Sequence, residues 1–148
     1  MSRQPTIITE RLMLRPFGPD DAERVAALAG KRAIADTTIR IPHPYEKGTA
    51  ERWIASHGRA FRRSESVVFA VVLRRTGRLI GAIGLELDMA NESGELGYWI
   101  GTRHWKRGYA TEAAETVLMY AFAELGLHKI HAHHFARNAA SGRVLEKI

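Results

Sequence analysis

The sequence of 148 residues contains no cysteine, and this absence excludes several kinds of site at once. Without thiols the chain can form no disulfide, no thiolate zinc site and no cysteine nucleophile, although the redox compartment stays open. Long apolar runs are also missing: the longest, VVFAVVL at 67–73, is far below the about 20 residues that a membrane-spanning helix needs. The opening MSRQPTIITERL lacks the apolar stretch of a signal peptide. We therefore expect a cytoplasmic protein with no membrane partner.

Internal repeats, low-complexity tracts and linkers are absent as well, so the length predicts a single domain over 1–148 with a substantial core. The net charge of +6 invites a nucleic-acid hypothesis. However, the cations are scattered along the chain, and no basic stripe interleaved with aromatic residues is found. A small anionic ligand or simple solubility explains the charge as well, and the pattern does not favour a nucleic-acid partner.

The first half of the chain predicts one strand followed by helices. In TERLMLRPF (9–17), Leu12 and Leu14 alternate with arginines, which is typical of a strand. A helix is predicted over 18–30, with Asp20 or Asp21 near its start. The stretch 31–47 contains IPHPYEKG, whose prolines forbid a continuing helix, and a second helix is predicted over 49–63.

The second half predicts a meander of strands and then a strand–helix–strand unit. Two strands joined by an RTGR turn and a third after a loop at 88–94 are expected at 66–74, 79–87 and 95–100. Apolar residues at helical spacing from Ala110 to Leu125 predict the longest helix, which Gly126 ends. A last strand at 129–135 and a helix at 138–148, with Asn138 as N-cap, complete an α/β or α+β domain of three layers.

The stretch WKRGYATEA (105–113) places two cations and a glycine directly before the long helix. A helix start offers free backbone N–H groups and the positive end of the helix dipole, and together these attract anions. The stretch is neither a P-loop, since it lacks the G-K-[ST] ending, nor a Rossmann G-x-G-x-x-G motif. On local chemistry, an anion cradle and a merely flexible helix entry with solvated side chains are equally good interpretations.

A second polar group favours the anion cradle. Asn138 and Ser141 follow the last predicted strand and share one helix face at i, i+3 spacing. In a parallel strand–helix–strand unit, both strands end at the same edge of the sheet, where ligands of open α/β sheets bind. We therefore expect the cradle and the Asn/Ser pair to lie side by side.

Three segments together resemble the GNAT superfamily, in particular its RimJ/RimL-type acetyltransferases: TERLMLRPF, GELGYWIGTRHWKRGYATEA and NAASGRVLEKI. The pyrophosphate loop of that superfamily, Q/R-x-x-G-x-G/A, falls here on residues 105–110. Tryptophan in its first place is usual in the RimJ/RimL branch, whereas Lys106 departs from the common glycine. The resemblance implies a GNAT fold: a central mixed, mostly antiparallel sheet with a parallel strand–helix–strand cofactor unit and helices on both faces.

The resemblance also implies acetyl-CoA as co-substrate, with no metal. Its pantetheine arm would pair with the backbone around Trp99 and Ile100, and Asn138 would hydrogen-bond it. Its pyrophosphate would lie on backbone N–H groups at the helix start. The residues implied for this cradle are Lys106, Arg107, Gly108, Tyr109, Ala110 and Thr111.

The reaction implied is direct transfer of the acetyl group to an amine, with backbone N–H groups stabilising the oxyanion. Many members protonate the leaving thiolate from a tyrosine, but the matching residue here is Leu145. Ser141 resembles the serine that serves in the RimJ/RimL branch, and an ordinary helix serine is the alternative. Glu95 and Glu86 at strand ends are candidates for the general base, as are His43 and Tyr45, while water suffices if the amine arrives neutral.

The HAHH cluster at 131–134 is a weak metal motif. His131 and His133 share one face of the predicted strand and His134 takes the other, so at most two could converge. With no cysteine and no HExxH, edge or core histidines are the better interpretation.

Two other functions stay open beside an N-acetyltransferase: a non-catalytic acyl-CoA-binding regulator and an RNA- or ribosome-binding module. The acceptor, a protein N-terminus or a small amine, is not readable because 31–47 carries no motif. Family members continue after LEKI with two further strands, and Ile148 falls in a predicted helix without a C-cap. The expectation is thus a C-terminally truncated domain that lacks the last two family strands, or a partner subunit, as in a homodimer, that covers the 129–135 edge.

Overall fold

A computed structural model describes residues 4–29 and 48–132, and in this part of the chain six strands form one sheet in the order β1-β2-β3-β4-β5-β6. The strands are β1 (Ile7–Ile8), β2 (Leu12–Arg15), β3 (Ser66–Leu73), β4 (Leu79–Asp88), β5 (Ser93–Ile100) and β6 (Lys129–Ala132). The helices are α1 (Ala22–Ala29), α2 (Thr49–Arg62) and α3 (Tyr109–Ala123). One-turn 3-10 helices lie at Pro19–Asp21, Met89–Asn91 and Thr102–His104.

The sheet is mixed, as predicted. Each strand from β1 to β5 pairs antiparallel with the next, while β6 pairs parallel with β5 from Ser93↔Lys129 to Leu96↔Ala132. The connection between β5 and β6 runs through α3, because two parallel strands require a long crossover. The predicted parallel strand–helix–strand unit is therefore confirmed.

Helices cover both faces of the sheet, again as predicted. On one face, Phe69, Ile83 and Leu96 pack with Val117 and other small residues of α3 in a core whose central side chains are inaccessible to solvent. On the opposite face, Ala82 and Trp99 belong to a second core with α1 and α2. Two apolar layers on one sheet explain why β3 is apolar on both sides.

Several boundaries differ from the predictions. The strand predicted over 9–17 spans only Leu12–Arg15, and the short β1 was missed. The helix predicted from 18 begins at Ala22, because the Asp21 carboxylate accepts a hydrogen bond from the Gly18 N–H (2.8 Å) and holds a 3-10 turn. Strand β5 begins at Ser93 rather than at 95, directly after Glu92 with φ 52°.

The end of α3 combines a confirmed signal with a shifted boundary. Gly126 has φ 69°, the left-handed conformation typical of a glycine that follows a helix, and the Leu127 N–H bonds to the Ala121 carbonyl six residues earlier, at 3.1 Å. The helix itself ends at Ala123, two residues before the predicted end, because the N–H groups of Glu124 and Leu125 converge on the Tyr120 carbonyl.

Parts of the prediction lie outside the described residues: the irregular stretch 31–47, the strand beyond residue 132 and the helix at 138–148. Where the structure does describe helices, none combines the length and the apolarity needed to cross a bilayer.

Candidate active site

The loop between β5 and α3 has a fixed, tightly turned backbone. Its first N–H, that of Gly101, bonds to the Ile80 carbonyl (2.7 Å), and the Trp105 indole Nε1 donates to the Ile100 carbonyl (2.6 Å). Lys106 and Gly108 then adopt left-handed conformations, with φ 62° and 80°. Left-handed residues in a loop of this kind turn neighbouring N–H groups to one side, a geometry that suits anions.

The first turn of α3 adds backbone N–H donors next to this loop. Gly108 is the N-cap and has no side chain to cap the helix, and the Glu112 N–H is the one that bonds back to the Gly108 carbonyl (3.0 Å). The N–H groups of Tyr109, Ala110 and Thr111 therefore have no acceptor within their own helix. Together with the helix dipole, they form a site that favours negative charge.

The surroundings of the loop are electropositive. The ring centroids of His104 and Tyr109 lie 6.2 Å apart in this loop. The Nδ1 atom of His104 is buried without a hydrogen-bond partner. Burial lowers the pKa of His104, and the positive charges of nearby arginines lower it further. In decreasing order of effect, these are Arg107, Arg24, Arg78 and Arg103. Lys106 and Arg107 are themselves exposed.

An arginine from the other end of the described chain reaches this loop. Arg11 donates from Nε to Glu112 Oε1 (2.7 Å) and from Nη1 to the Arg107 carbonyl (2.8 Å), and its guanidinium carbon lies 4.5 Å from the centre of the Tyr109 ring. Thr9 Oγ1 donates to the same Glu112 carboxylate. Sequence reasoning missed this contact, since no local pattern relates residue 11 to residue 112.

Trp99 and Ile100, which are predicted to align a ligand arm, lie at the end of β5, where the strand pairs with β4 at Ala82 and Gly81. The described parallel register with β6 runs from Ser93 to Leu96, and residues beyond Ala132 lie outside the described part of the chain. The alignment of a ligand arm with Trp99 and Ile100 therefore stays a prediction.

Two glutamates predicted as candidate bases face each other on β4 and β5. Glu86 and Glu95 are Cα partners in the antiparallel register, Glu95 is half-buried and Glu86 is exposed. Because side chains alternate along a strand, Glu95 points to the same sheet face as Trp99, which is the face covered by α1 and α2. The pair therefore lies on the face opposite to α3.

Aromatic side chains line the face on which Glu95 lies. Trp53 of α2 lies between His57 (ring centroids 4.4 Å apart) and Trp99 (6.4 Å), and Phe17 packs against Trp53 at 5.0 Å. Both ring nitrogens of His57 are buried without a hydrogen-bond partner. Desolvation lowers the pKa of His57 from 6.5 to about 4, so the ring is neutral at physiological pH.

Some predicted site residues lie outside the described residues, namely Asn138 and Ser141 together with His43, Tyr45, His133 and His134. His131 is exposed on β6. Among the residues that the structure does describe, no group of three or more His, Cys, Asp or Glu side chains could hold a metal ion.

Comparison with known proteins decides the family. The model of the acetyltransferase (GNAT) domain matches residues 11–148. The chain belongs to the GNAT acetyltransferase family. It is 30% identical over 145 residues to YoaA of Bacillus subtilis (strain 168), named an uncharacterized N-acetyltransferase, covering 97% of this chain and 81% of YoaA.

Two solved structures share the fold at low sequence identity. The spermidine N-acetyltransferase of Vibrio cholerae, solved with CoA and spermine, has a TM-score of 0.78 at 24% identity, covering 94% of this GNAT chain and 80% of that one. The ribosomal L7/L12 α-N-protein acetyltransferase RimL, solved with coenzyme A, has a TM-score of 0.87 at 12% identity, with coverage of 97% and 82%. At such identities the likeness concerns the fold, and the two enzymes are named for different acceptors.

Proposed function

We propose that this GNAT protein is an N-acetyltransferase that uses acetyl-CoA as co-substrate and transfers the acetyl group to a primary amine. The observation that carries the proposal is the set of N–H groups at the start of α3, which have no acceptor within the helix and lie in electropositive surroundings. In this proposal, the N–H groups of residues 106–111 hold the pyrophosphate. The two neighbours of the same fold that were solved with CoA support CoA chemistry for this family, while the place of the pyrophosphate is our proposal.

The cradle fits a pyrophosphate in shape and charge. Gly108 and Lys106 supply the left-handed turns that aim the backbone donors, and Gly108 is exposed and bare. The acid in the first turn of α3, Glu112, has its carboxylate engaged by Arg11 and Thr9, so its charge is neutralised locally. When bound, acetyl-CoA supplies an acetyl thioester, and Trp99, Ile100 and Asn138 are proposed to align its pantetheine arm.

Two residues of the chain would then accept a proton from the amine and donate one to the leaving thiolate. An alkylamine is mostly protonated near neutral pH and must lose a proton before it can attack, a task suited to a carboxylate on the acceptor side. We assign that role to Glu95, which shares its sheet face with Trp99. Ser141 is proposed to return a proton to the leaving thiolate, and backbone N–H groups near the end of β5 to stabilise the oxyanion.

The acceptor belongs to the class of primary amines, either a protein N-terminus, as for a RimJ/RimL-type enzyme, or a small amine. Two opposed carboxylates, Glu86 and Glu95, lie on this face, and an ammonium group of the acceptor would pair with such a group. Trp53 of α2 is half-buried on the same face and would offer apolar contact to the carbon chain next to the amine.

Acetyl transfer to a panel of amines and peptide N-termini, followed by mass spectrometry, tests the proposal. We expect an acetylated product with at least one acceptor and release of one CoA per acetyl group. Binding of acetyl-CoA without turnover on any amine would instead identify an acyl-CoA-binding regulator and refute the enzyme.

The role of Glu95 is tested with its cross-strand partner as control. Glu95→Gln should lower kcat about 100-fold, the lower end of typical general-base effects. Glu86→Gln, at the opposed and more exposed position, removes the same charge from the same face. Equal effects of both changes would mean that Glu95 contributes only negative potential.

A further inference from the structure

Arg11 lies at the entry of β2, far from the cofactor loop in sequence but against it in the fold. Four hydrogen bonds connect Arg11 and Thr9 with one carboxylate, that of Glu112, and one carbonyl, that of Arg107; two of them come from the Arg11 side chain. The Glu112 carboxylate accepts from Arg11 Nε (2.7 Å), from the Arg11 backbone N–H (2.9 Å) and from Thr9 Oγ1, while Arg11 Nη1 donates to the Arg107 carbonyl (2.8 Å). We call Arg11, Glu112 and Thr9 the clasp.

The clasp contacts the residues immediately before and after Gly108. It bonds to Arg107, immediately before Gly108, stacks on Tyr109, immediately after it, and anchors Glu112 one turn later. A Cβ atom placed on Gly108 would lie 3.2 Å from Arg11 Nη2, so the guanidinium also closes the space behind the glycine. The loop therefore cannot change its turn without breaking contacts to Arg11.

From these contacts we propose that Arg11 is a positioning residue for acetyl-CoA: through Glu112 and the Arg107 carbonyl, it fixes the N–H groups of the 105–111 segment in the arrangement that binds the pyrophosphate. This inference rests on the proposed use of acetyl-CoA. Only arginine suits the task, because its rigid fork of donors reaches the carboxylate and the carbonyl at once, whereas a lysine offers a single nitrogen.

The clasp has an electrostatic role beside its mechanical one. Glu112 lies in the first turn of α3, so an uncompensated carboxylate there would oppose a bound pyrophosphate. Burial raises the pKa of Glu112, but hydrogen bonds from Thr9 and from the Arg11 backbone and side chain outweigh it, and the net pKa is lowered. The Glu112 carboxylate is thus negatively charged, and the positive charge of Arg11 compensates it. Loss of Arg11 alone should harm CoA binding more than loss of both partners.

A second arginine on the same strand provides the matched control. Arg15 binds Asp21 with two hydrogen bonds (2.8 and 2.9 Å), and the side-chain exposures are similar: 29% and 13% for this pair against 43% and 18% for Arg11 and Glu112. Arg15 has no contact with the 101–108 loop among those the structure describes. Arg15→Lys, matched to Arg11→Lys, therefore measures the loss of an arginine's fork of donors from an ion pair on β2 without disturbing the cradle.

The experiment measures the Kd of CoA by calorimetry and the KM and kcat for acetyl-CoA in Arg11→Gln, Arg11→Lys, Arg11→Gln/Glu112→Gln and Arg15→Lys. We expect Arg11→Gln to raise the Kd of CoA and the KM for acetyl-CoA about tenfold, and a tenfold change in Kd corresponds to about 1.4 kcal/mol of binding free energy. We expect kcat at saturating acetyl-CoA to stay within about twofold, since the lost contacts act on binding. The double variant should bind CoA better than Arg11→Gln, and Arg15→Lys should bind like wild type.

Hydrogen exchange of the 105–111 amides in the ligand-free protein gives a second readout that needs no CoA. Exchange should be faster in Arg11→Gln and partly restored in Arg11→Lys, with no change in Arg15→Lys. Should Arg11→Gln fail to fold, Arg11→Lys carries both measurements. Failure of the wild type to bind CoA would refute the proposed function, while unchanged exchange in the Arg11 variants, or equal CoA losses in Arg11→Gln and Arg15→Lys, would overturn the clasp.

Discussion

The buried histidine of α2 predicts an unusual dependence of stability on pH. His57 is 9% exposed, packs between Phe17 and Trp53, and has no hydrogen-bond partner on either ring nitrogen. Desolvation lowers its pKa from 6.5 to about 4. The folded protein therefore keeps the ring neutral in a range of pH where the unfolded chain protonates it, and protons favour unfolding there.

The size of this effect follows from the two pKa values. Above pH 6.5, the ordinary pKa, the ring is neutral in both states and protonation costs nothing; as the pH falls towards about 4, stability is progressively lost. The full difference corresponds to about 3 kcal/mol, and about 2.5 kcal/mol of it is already lost at about pH 4.5. Asp21 and Glu112, whose pKa values are lowered, add to the loss in wild type and variant alike as the pH falls below their ordinary values of 3.8 and 4.5.

Urea unfolding followed by circular dichroism at several pH values measures this loss. His57→Leu removes the titrating group and the two unpartnered nitrogens, so the variant should gain stability relative to wild type as the pH falls, by about 2.5 kcal/mol between about pH 7.5 and 4.5. His131→Leu, at an exposed position on β6, controls for the loss of one histidine. A difference between His57→Leu and wild type that does not change with pH would refute the reasoning.

Further predictions concern the cradle and the proton donor. Gly108→Ala, at φ 80° and against a guanidinium, should weaken CoA binding and destabilise the fold by about 1–2 kcal/mol, whereas Gly126→Ala, at φ 69° in open space, should lower the melting temperature without changing CoA affinity in calorimetry. Lys106→Gly should relieve the strain of φ 62° and change CoA affinity by about 1 kcal/mol or less, because an exposed charge contributes little; a large loss would show that the side chain rather than the backbone binds the phosphate. Ser141→Ala should lower kcat more than it raises the KM for acetyl-CoA, and an unchanged kcat would assign Ser141 a structural role.

Local patterns in the sequence predicted the elements that carry the site. Small and apolar residues at helical spacing gave α3, and the glycine after it marked the end of the helix. Alternating or continuous apolar residues predicted strands β2 to β6. Continuous apolar runs are expected where both faces of the sheet are covered, as they are here. The glycine and cations before α3 indicated the cradle, since the physics of a helix start is local.

The contacts that hold the site together could not be predicted in the same way. The clasp joins Arg11 to Glu112, and the opposition of Glu86 and Glu95 depends on a register set by the whole sheet. Pairings of this kind are decided by packing of distant segments, and no spacing in one sequence encodes them. The buried His57 was missed for a related reason: its helix position is ordinary, and its desolvation comes from Phe17 and Trp53.

The central claim is that the start of α3 binds acetyl-CoA for transfer of its acetyl group to an amine. The most direct test incubates the purified wild-type protein and Gly108→Ala with acetyl-CoA and the amine panel, and follows both the acetylated product and the CoA released. The account predicts equal amounts of product and CoA with the wild type and a higher KM for acetyl-CoA with Gly108→Ala. Acetylation that proceeds with unchanged KM in Gly108→Ala, or no acetylated product from any amine with the wild type, would contradict it.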